Sequence, residues 1–234
     1  ATTNANGGVN KYYYNKLGKI VSIENPLGQV TRFVYDGAGR TIQQQSPDGA
    51  ITKFEFDAAG NTKSITDANG NKISFEYDAN GNVVKSTNPV GNVTSYTYDG
   101  LNNVLTEKDA SGNVTSYTYD CFSNNTSFTD ADKNKTTYTY DTAGNLIKSV
   151  DANGNVTTFE YDKRFNKVSK ITDAEGGVQS FVYDTMGNLI TETAVNGTKK
   201  TYVYNKMNRL VKSTDETGLT TTYTYDNNGN LLKT

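Results

Sequence analysis

The 234-residue sequence has no histidine, no tryptophan, one cysteine and three prolines. Each shortage narrows what the chain can do. Without histidine there is no imidazole to act as a general base near neutral pH or to activate a nucleophile. Cys121 can form no internal disulfide. With no histidine to lower its pKa, its thiol reads as a turn substitution and not as a catalytic nucleophile. Charge of one sign is also scarce, since 23 Lys and Arg stand against 25 Asp and Glu, for a net charge of −2. The cations are scattered and form no basic stripe, which argues against nucleic acid as a partner, because phosphate neutralisation needs clustered Lys and Arg. No apolar run approaches the roughly 20 residues that a membrane-spanning helix needs. There is no metal-ligand cluster and no phosphate-binding loop, so no cofactor and no enzymatic activity are expected. No signal peptide is visible at Ala1.

What is present is a register. Tyr-Asp recurs at Tyr35-Asp36, Tyr77-Asp78, Tyr98-Asp99, Tyr119-Asp120, Tyr140-Asp141, Tyr161-Asp162, Tyr183-Asp184 and Tyr225-Asp226. Variants fill the gaps at Tyr14-Asn15, Phe56-Asp57 and Tyr204-Asn205, giving eleven copies spaced 21 residues apart, with one step of 22 between Tyr161 and Tyr183. A second aromatic stands two residues before each copy, as Phe33, Phe54, Phe75, Tyr96 and Tyr117 do. A spacing of two puts both rings on one face of a strand. The Thr, Val, Ser and Glu around them suit a pleated, half-buried surface.

Each repeat carries a second, apolar segment, such as Val83-Val84, Val104-Leu105, Leu146-Ile147 or Leu189-Ile190, which predicts a strand of about six residues. Two turns separate the strands. One follows the aromatic strand, as in Asp78-Ala-Asn-Gly81-Asn82, and one follows the apolar strand, as in Asp67-Ala-Asn-Gly70-Asn71. The recurring Gly marks a position of positive φ. Asn102 and Asn208 stand in for it, and asparagine tolerates that region best after glycine. Pro26, Pro47 and Pro89 all fall two residues before the second Gly, where proline presets φ for a turn. Each repeat is therefore expected to be one β-hairpin in an all-β antiparallel meander, curled or spiralling because wide open sheets do not stay flat. Residues 4–8 match a second turn and the chain stops at Leu231-Leu232, inside an apolar strand. On that reading residues 1–234 form one repeat array taken from a longer protein.

The pattern YD-x-x-G-N-L, then D-x-x-G-N-x-T-x-Y-x-YD, resembles the YD repeat of the Rhs proteins, the B and C components of insecticidal Tc toxins, wall-associated bacterial proteins and the teneurins. The resemblance covers essentially the whole chain. It implies a spiralling β-sheet that encloses a hollow shell. In toxin relatives the shell holds a C-terminal effector, and in teneurins it belongs to a cell-surface adhesion protein. No DPxGL-like motif and no effector sequence occur here, so the resemblance carries over architecture but no catalytic residue.

Several residues invite a chemical reading. The repeated Asp could supply paired carboxylates, but it is Asn at 15 and 205, which keeps the acceptor and loses the charge. That points to a turn-capping hydrogen bond. Asp78-Ala-Asn80-Gly-Asn82 and Asp130-Ala-Asp132-Lys-Asn134 mimic the start of a calcium loop, and the Asp130 loop is the better candidate for weak Ca²⁺ binding, although the Gly at the sixth place is missing from both. The aromatic columns could stack on sugar rings, or they pack one face of the sheet against neighbours. Missing tryptophan weakens the glycan case. Asn92, Asn113, Asn155 and Asn196 lie in glycosylation sequons that the repeat consensus generates by itself. The repeat at 120–140 is irregular, with Cys121, Phe122, Ser123 and Phe128, and Lys133 at a Gly place. The segment from Asp162 has Phe165 at a Gly place and one extra residue, expected to form a bulge.

The resulting expectation is a structural scaffold. It would form part of the shell of a large secreted or surface protein that encapsulates a toxin cargo. The alternatives are an adhesion module with a glycan or protein ligand, or a fibre subunit that self-associates through unpaired strand edges.

Overall fold

A computed structural model describes residues 1–3 and 7–234. The turn expected at 4–8 therefore lies partly outside the described residues. All regular structure among the described residues is β-strand, as expected from the repeat. Strands alternate in length. Most aromatic strands run six residues, as in Lys72–Tyr77 and Val93–Tyr98, and most apolar strands run five, as in Thr62–Thr66 and Val83–Thr87. By contact the chain divides into two compact units, Ala1–Ser116 and Tyr117–Thr234. In the first unit Lys72–Tyr77 pairs antiparallel with Thr62–Thr66 on one side and Val83–Thr87 on the other. In the second, Val178–Tyr183 lies between Lys167–Thr172 and Leu189–Thr193 in the same way.

Among the described turns all but one, at Asp162–Lys167, share one construction. In Asp78–Asn82 the Gly81 N–H donates to the Asp78 carbonyl at 3.2 Å, and the Asp78 N–H donates to the Asn82 carbonyl at 2.9 Å. This is a three-residue hairpin loop, a type I turn followed by a left-handed residue. Among the described turns the left-handed place is filled by glycine in sixteen and by Asn102, Ser123, Lys133, Asn166 and Asn208 in the others. Asn102, Asn208 and Lys133 thus sit where the sequence placed them.

Phe165 does not. Asn166 takes the left-handed conformation, with φ of 54°, and its N–H reaches back to the Asp162 carbonyl at 2.8 Å. The extra residue lengthens the turn to four residues between the paired Asp162 and Lys167, so it adds no bulge to a strand. A bulge is instead a standing feature of the hairpins. Glu76 pairs with Lys85 and Tyr77 with Val83, so Val84 is the extra residue. Leu105 holds the same place between Val104 and Thr106, and Ser169 between Val168 and Lys170. A bulge adds right-handed twist and bends its strand. Repeating it in each hairpin spreads that twist along the sheet.

The two faces differ as a period of two requires. In Ile51–Phe56 the rings of Phe54 and Phe56 are half-buried and Glu55 between them is exposed. Among the described residues no hydrophobic side chain is fully buried. The aromatic columns lie on one face, and among the described residues none of their side chains is fully buried. On the other face polar groups pair across strands. Ser64, 1% exposed, donates to Glu55 at 2.8 Å, and Thr118 and Ser127 share a hydrogen bond of 2.7 Å. Lys85–Glu76 and Lys170–Glu160 form ion pairs at 2.8 and 2.9 Å.

Candidate functional site

The positions that recur in the sequence converge on the turns. In Asp78–Asn82 the Asp78 Oδ1 accepts the N–H of Asn80 and of Asn82, each at 2.9 Å, and Oδ2 accepts the Asn82 amide Nδ2–H at 3.0 Å. One carboxylate thus satisfies two orphan backbone donors and is clasped by the residue after the Gly. The same Asp–Asn clasp closes the turns at Asp57, Asp67, Asp99, Asp109, Asp120, Asp141, Asp151, Asp184 and Asp226. At Asp36 an arginine replaces the amide, with Arg40 Nε donating to Oδ2 at 2.7 Å. The sequence marked the Asp but not its partner. The signal was the Asn that follows about half of the turn glycines.

Donors on all sides stabilise the ionised carboxylate. The Asn82 amide, then the backbone N–H groups, hold Asp78 below the ordinary carboxylate range, and Asn71 does the same for Asp67. A base of lowered pKa whose oxygens are already engaged is a structural acceptor. The asparagine variants agree, because Asn205 Oδ1 accepts the N–H of Met207 and Arg209 at 2.9 and 3.1 Å without any charge.

The tyrosine has its own partner. The Tyr98 hydroxyl donates to the Val83 carbonyl at 2.7 Å. Tyr35, Tyr77, Tyr161, Tyr183 and Tyr225 make the same bond to Ile20, Thr62, Leu146, Val168 and Leu210, each fifteen residues back. The ladder explains it. Val93–Tyr98 pairs with Val83–Thr87 only as far as Ser95 and Lys85, then turns to the next strand. The hydroxyl reaches the carbonyl that the ladder leaves behind.

The residue after the Gly also ties one hairpin to the next. Asn82 Nδ2 donates to Asn102 Oδ1 at 2.8 Å and Asn188 Nδ2 to Asn208 Oδ1 at 3.1 Å. Lys167 Nζ donates to the Gly187 carbonyl at 2.7 Å. Arg40 lies 4.6 Å from the Phe56 ring centre, the one copy of the dipeptide that lacks a hydroxyl.

The other candidates resolve as follows. In the Asp130 loop both carboxylate oxygens are taken by Asn134, at 2.8 and 2.9 Å, and Lys133 sits at φ of 72°, so the loop is an ordinary clasped turn. Among the described residues no three His, Cys, Asp or Glu side chains gather to hold a metal ion. The sequon asparagines 113 and 155 are clasping residues. Cys121 is exposed at a turn tip beside Phe122, which is 80% exposed. Tyr117 and Phe128 of the irregular repeat pack at 5.6 Å between ring centres. No helix among the described residues is long and apolar enough to cross a membrane.

Hairpins of nearly one length, most of them closed by the same carboxylate clasp and six joined to the preceding strand by a tyrosine hydroxyl, define a tandem β-hairpin repeat protein. The chain belongs to the RHS Repeat family, whose pattern matches residues 14–51, 56–93, 77–113, 123–156, 140–178, 183–218 and 204–234. No curated protein sequence matches it. Among solved structures it is similar to a TcdB2–TccC3–Cdc42 structure, at 17% identity and a TM-score of 0.57, over 95% of this chain and 16% of that one. It is similar to TcdB2–TccC3 without the hypervariable C-terminal region, at 16% identity and a TM-score of 0.55, over 98% and 18%. The Tc holotoxin pore of Photorhabdus luminescens gives 17% and 0.56, over 95% and 15%. At such identity the likeness is one of fold, and the chain spans about a sixth of the length of these relatives.

Proposed function

We propose that this chain is a structural scaffold, a stretch of β-sheet wall in a larger RHS-repeat protein that encloses a C-terminal toxin cargo outside the producing cell. One observation carries the reading. The side chains that recur from hairpin to hairpin, Asp, Asn and Tyr, hold backbone or one another, and the same bonds form in turns as far apart as Asp57 and Asp226. Such a design favours a regular surface of extendable length over a single reactive site. The RHS family and the fold shared with the TcdB2–TccC3 structures support the same reading.

The test is protection. The full reading frame that contains this chain is expressed, and the segment C-terminal to the last repeat is followed during limited proteolysis. Survival of that segment until the repeats themselves are cut supports enclosure. Cleavage of that segment at the rate of a free peptide removes the enclosure reading and leaves an open scaffold.

A further inference from the structure

Three consecutive hairpins, spanning 156–220, separate charge between their two edges. All first turns lie along one edge of the meander and all second turns along the other, with neighbouring turns on one edge roughly 10 Å apart, two strand spacings. The first turns here, 162–167, 184–188 and 205–209, carry Lys163, Arg164, Lys167, Lys206 and Arg209 against the carboxylates Asp162 and Asp184. Asn205 stands where most first turns have an aspartate, so one negative charge is missing. Met186 and Met207 project at the tips, 65% and 70% exposed.

The opposite turns, 173–177, 194–198 and 215–219, carry Asp173, Glu175, Asp215 and Glu216 and no cation. Gly177 and Leu219 occupy the place of the clasping asparagine, so Asp173 and Asp215 keep the backbone N–H of those residues but have no side-chain amide across the turn. Of the lysines that flank this edge, Lys200 pairs with Glu216 at 3.3 Å and stands opposite Glu192 in the ladder, and Lys199 adjoins the middle turn. Val195 and Leu219 project here, 59% and 68% exposed. The other first turns of this unit, at 120–124, 141–145 and 226–230, each hold a single carboxylate and no cation.

We propose that the basic, methionine-tipped edge of these hairpins docks on the acidic edge of the same hairpins in a second copy of the chain. Charge meets opposite charge, and Met186 and Met207 meet Val195 and Leu219. Because the two edges differ, the contact is head to tail, and every assembly keeps one free edge of each kind at its ends. Association is therefore open-ended and screened by salt, since the Debye length falls from about 30 Å at 0.01 M to about 3 Å at 1 M. It uses turns, and differs from pairing through unpaired strand edges.

The experiment is sedimentation velocity on the 234-residue chain and two charge-reversed forms, Lys163→Glu with Lys206→Glu, and Glu175→Lys with Glu216→Lys. All four residues lie in turns, and far-UV circular dichroism checks that each form keeps its strands. The expected result is a wild-type mass that grows with concentration at low salt and returns to monomer at high salt. Each reversed form stays monomeric alone, and an equimolar mixture of the two associates, because each then offers the other an opposite edge. A wild type that stays monomeric at low salt overturns the proposal, as does association that both reversals leave unchanged, which would signal strand-edge pairing. Monomeric protein that floats with phosphatidylserine vesicles would also overturn it, and would assign the basic edge to a membrane surface.

Discussion

The hydroxyl of Tyr98 lies 2.7 Å from the carbonyl oxygen of Val83, in the strand that precedes its own. That carbonyl stands where the ladder between the two strands has ended, and the phenol takes the place of the missing N–H. Tyr98→Phe is expected to cost about 1 kcal/mol, the net worth of one hydrogen bond. Urea unfolding of the variant checks this. The converse substitution, Phe56→Tyr, adds a hydroxyl one repeat from the Thr62 acceptor, facing Thr41, and is expected to raise the midpoint.

Lys133 holds a left-handed conformation that a β-carbon disfavours, with φ of 72°. Lys133→Gly is expected to stabilise the chain by about 1 kcal/mol, the scale of that steric penalty. Gly70→Ala should destabilise by a similar amount. A methyl group there meets nothing within 4 Å, so the backbone at φ of +85° is the sole cause. Thermal melts of the two variants should shift in opposite directions.

The clasped aspartates make stability depend on acid. Their folded pKa values are depressed, with the neighbouring amide and backbone donors as the cause at Asp78, Asp99 and Asp141. A depressed carboxylate contributes stability above its unfolded value, near 4, and loses it as pH falls through the folded value. Stability is therefore expected to hold down to about pH 4 and then to fall steeply, because many equivalent groups take up protons together. Asp78→Asn with Asp99→Asn should flatten the slope of an acid titration followed by circular dichroism. Asn205 shows that an amide can fill the place.

Asn82 uses its amide twice, toward Asp78 and toward Asn102. Asn82→Ala is expected to lose about 1 kcal/mol or more, because it removes a donor to a charged acceptor and the link to the next turn. Asn82→Arg should recover much of that, as the Asp36–Arg40 turn does naturally. Urea midpoints of the two variants, compared side by side, test whether the clasp requires an amide or any suitable donor.

The repeat was legible in the sequence because its causes are local. Tyr-Asp spacing gave the strands, and Gly81 or Gly70 gave the turns, since a left-handed residue leaves few candidates. Asp78 was recognisable as a turn acceptor because Asn15 and Asn205 replace it. Asn82 was not recognised as its partner, since an Asn after Gly also suits an ordinary loop. The hydroxyl bond of Tyr98 was hidden because it depends on where a ladder ends, which no single strand encodes. Phe165 misled for a related reason. Counting residues put it at the Gly place, but a four-residue loop moves the left-handed position to Asn166. The aromatic columns were correctly set on one face, but only the structure shows that none of the described rings is fully buried.

The fifteen-residue reach from each tyrosine to its carbonyl has a consequence for inheritance. No bond of the clasp or the hydroxyl link refers to how many hairpins come before or after. A DNA segment encoding 21 residues could be gained or lost by unequal crossing-over, and the joined product would find each partner at its usual distance. Repeat number can thus drift between lineages while the geometry of each hairpin stays fixed, and the span of the array becomes a trait that recombination can change without new mutations.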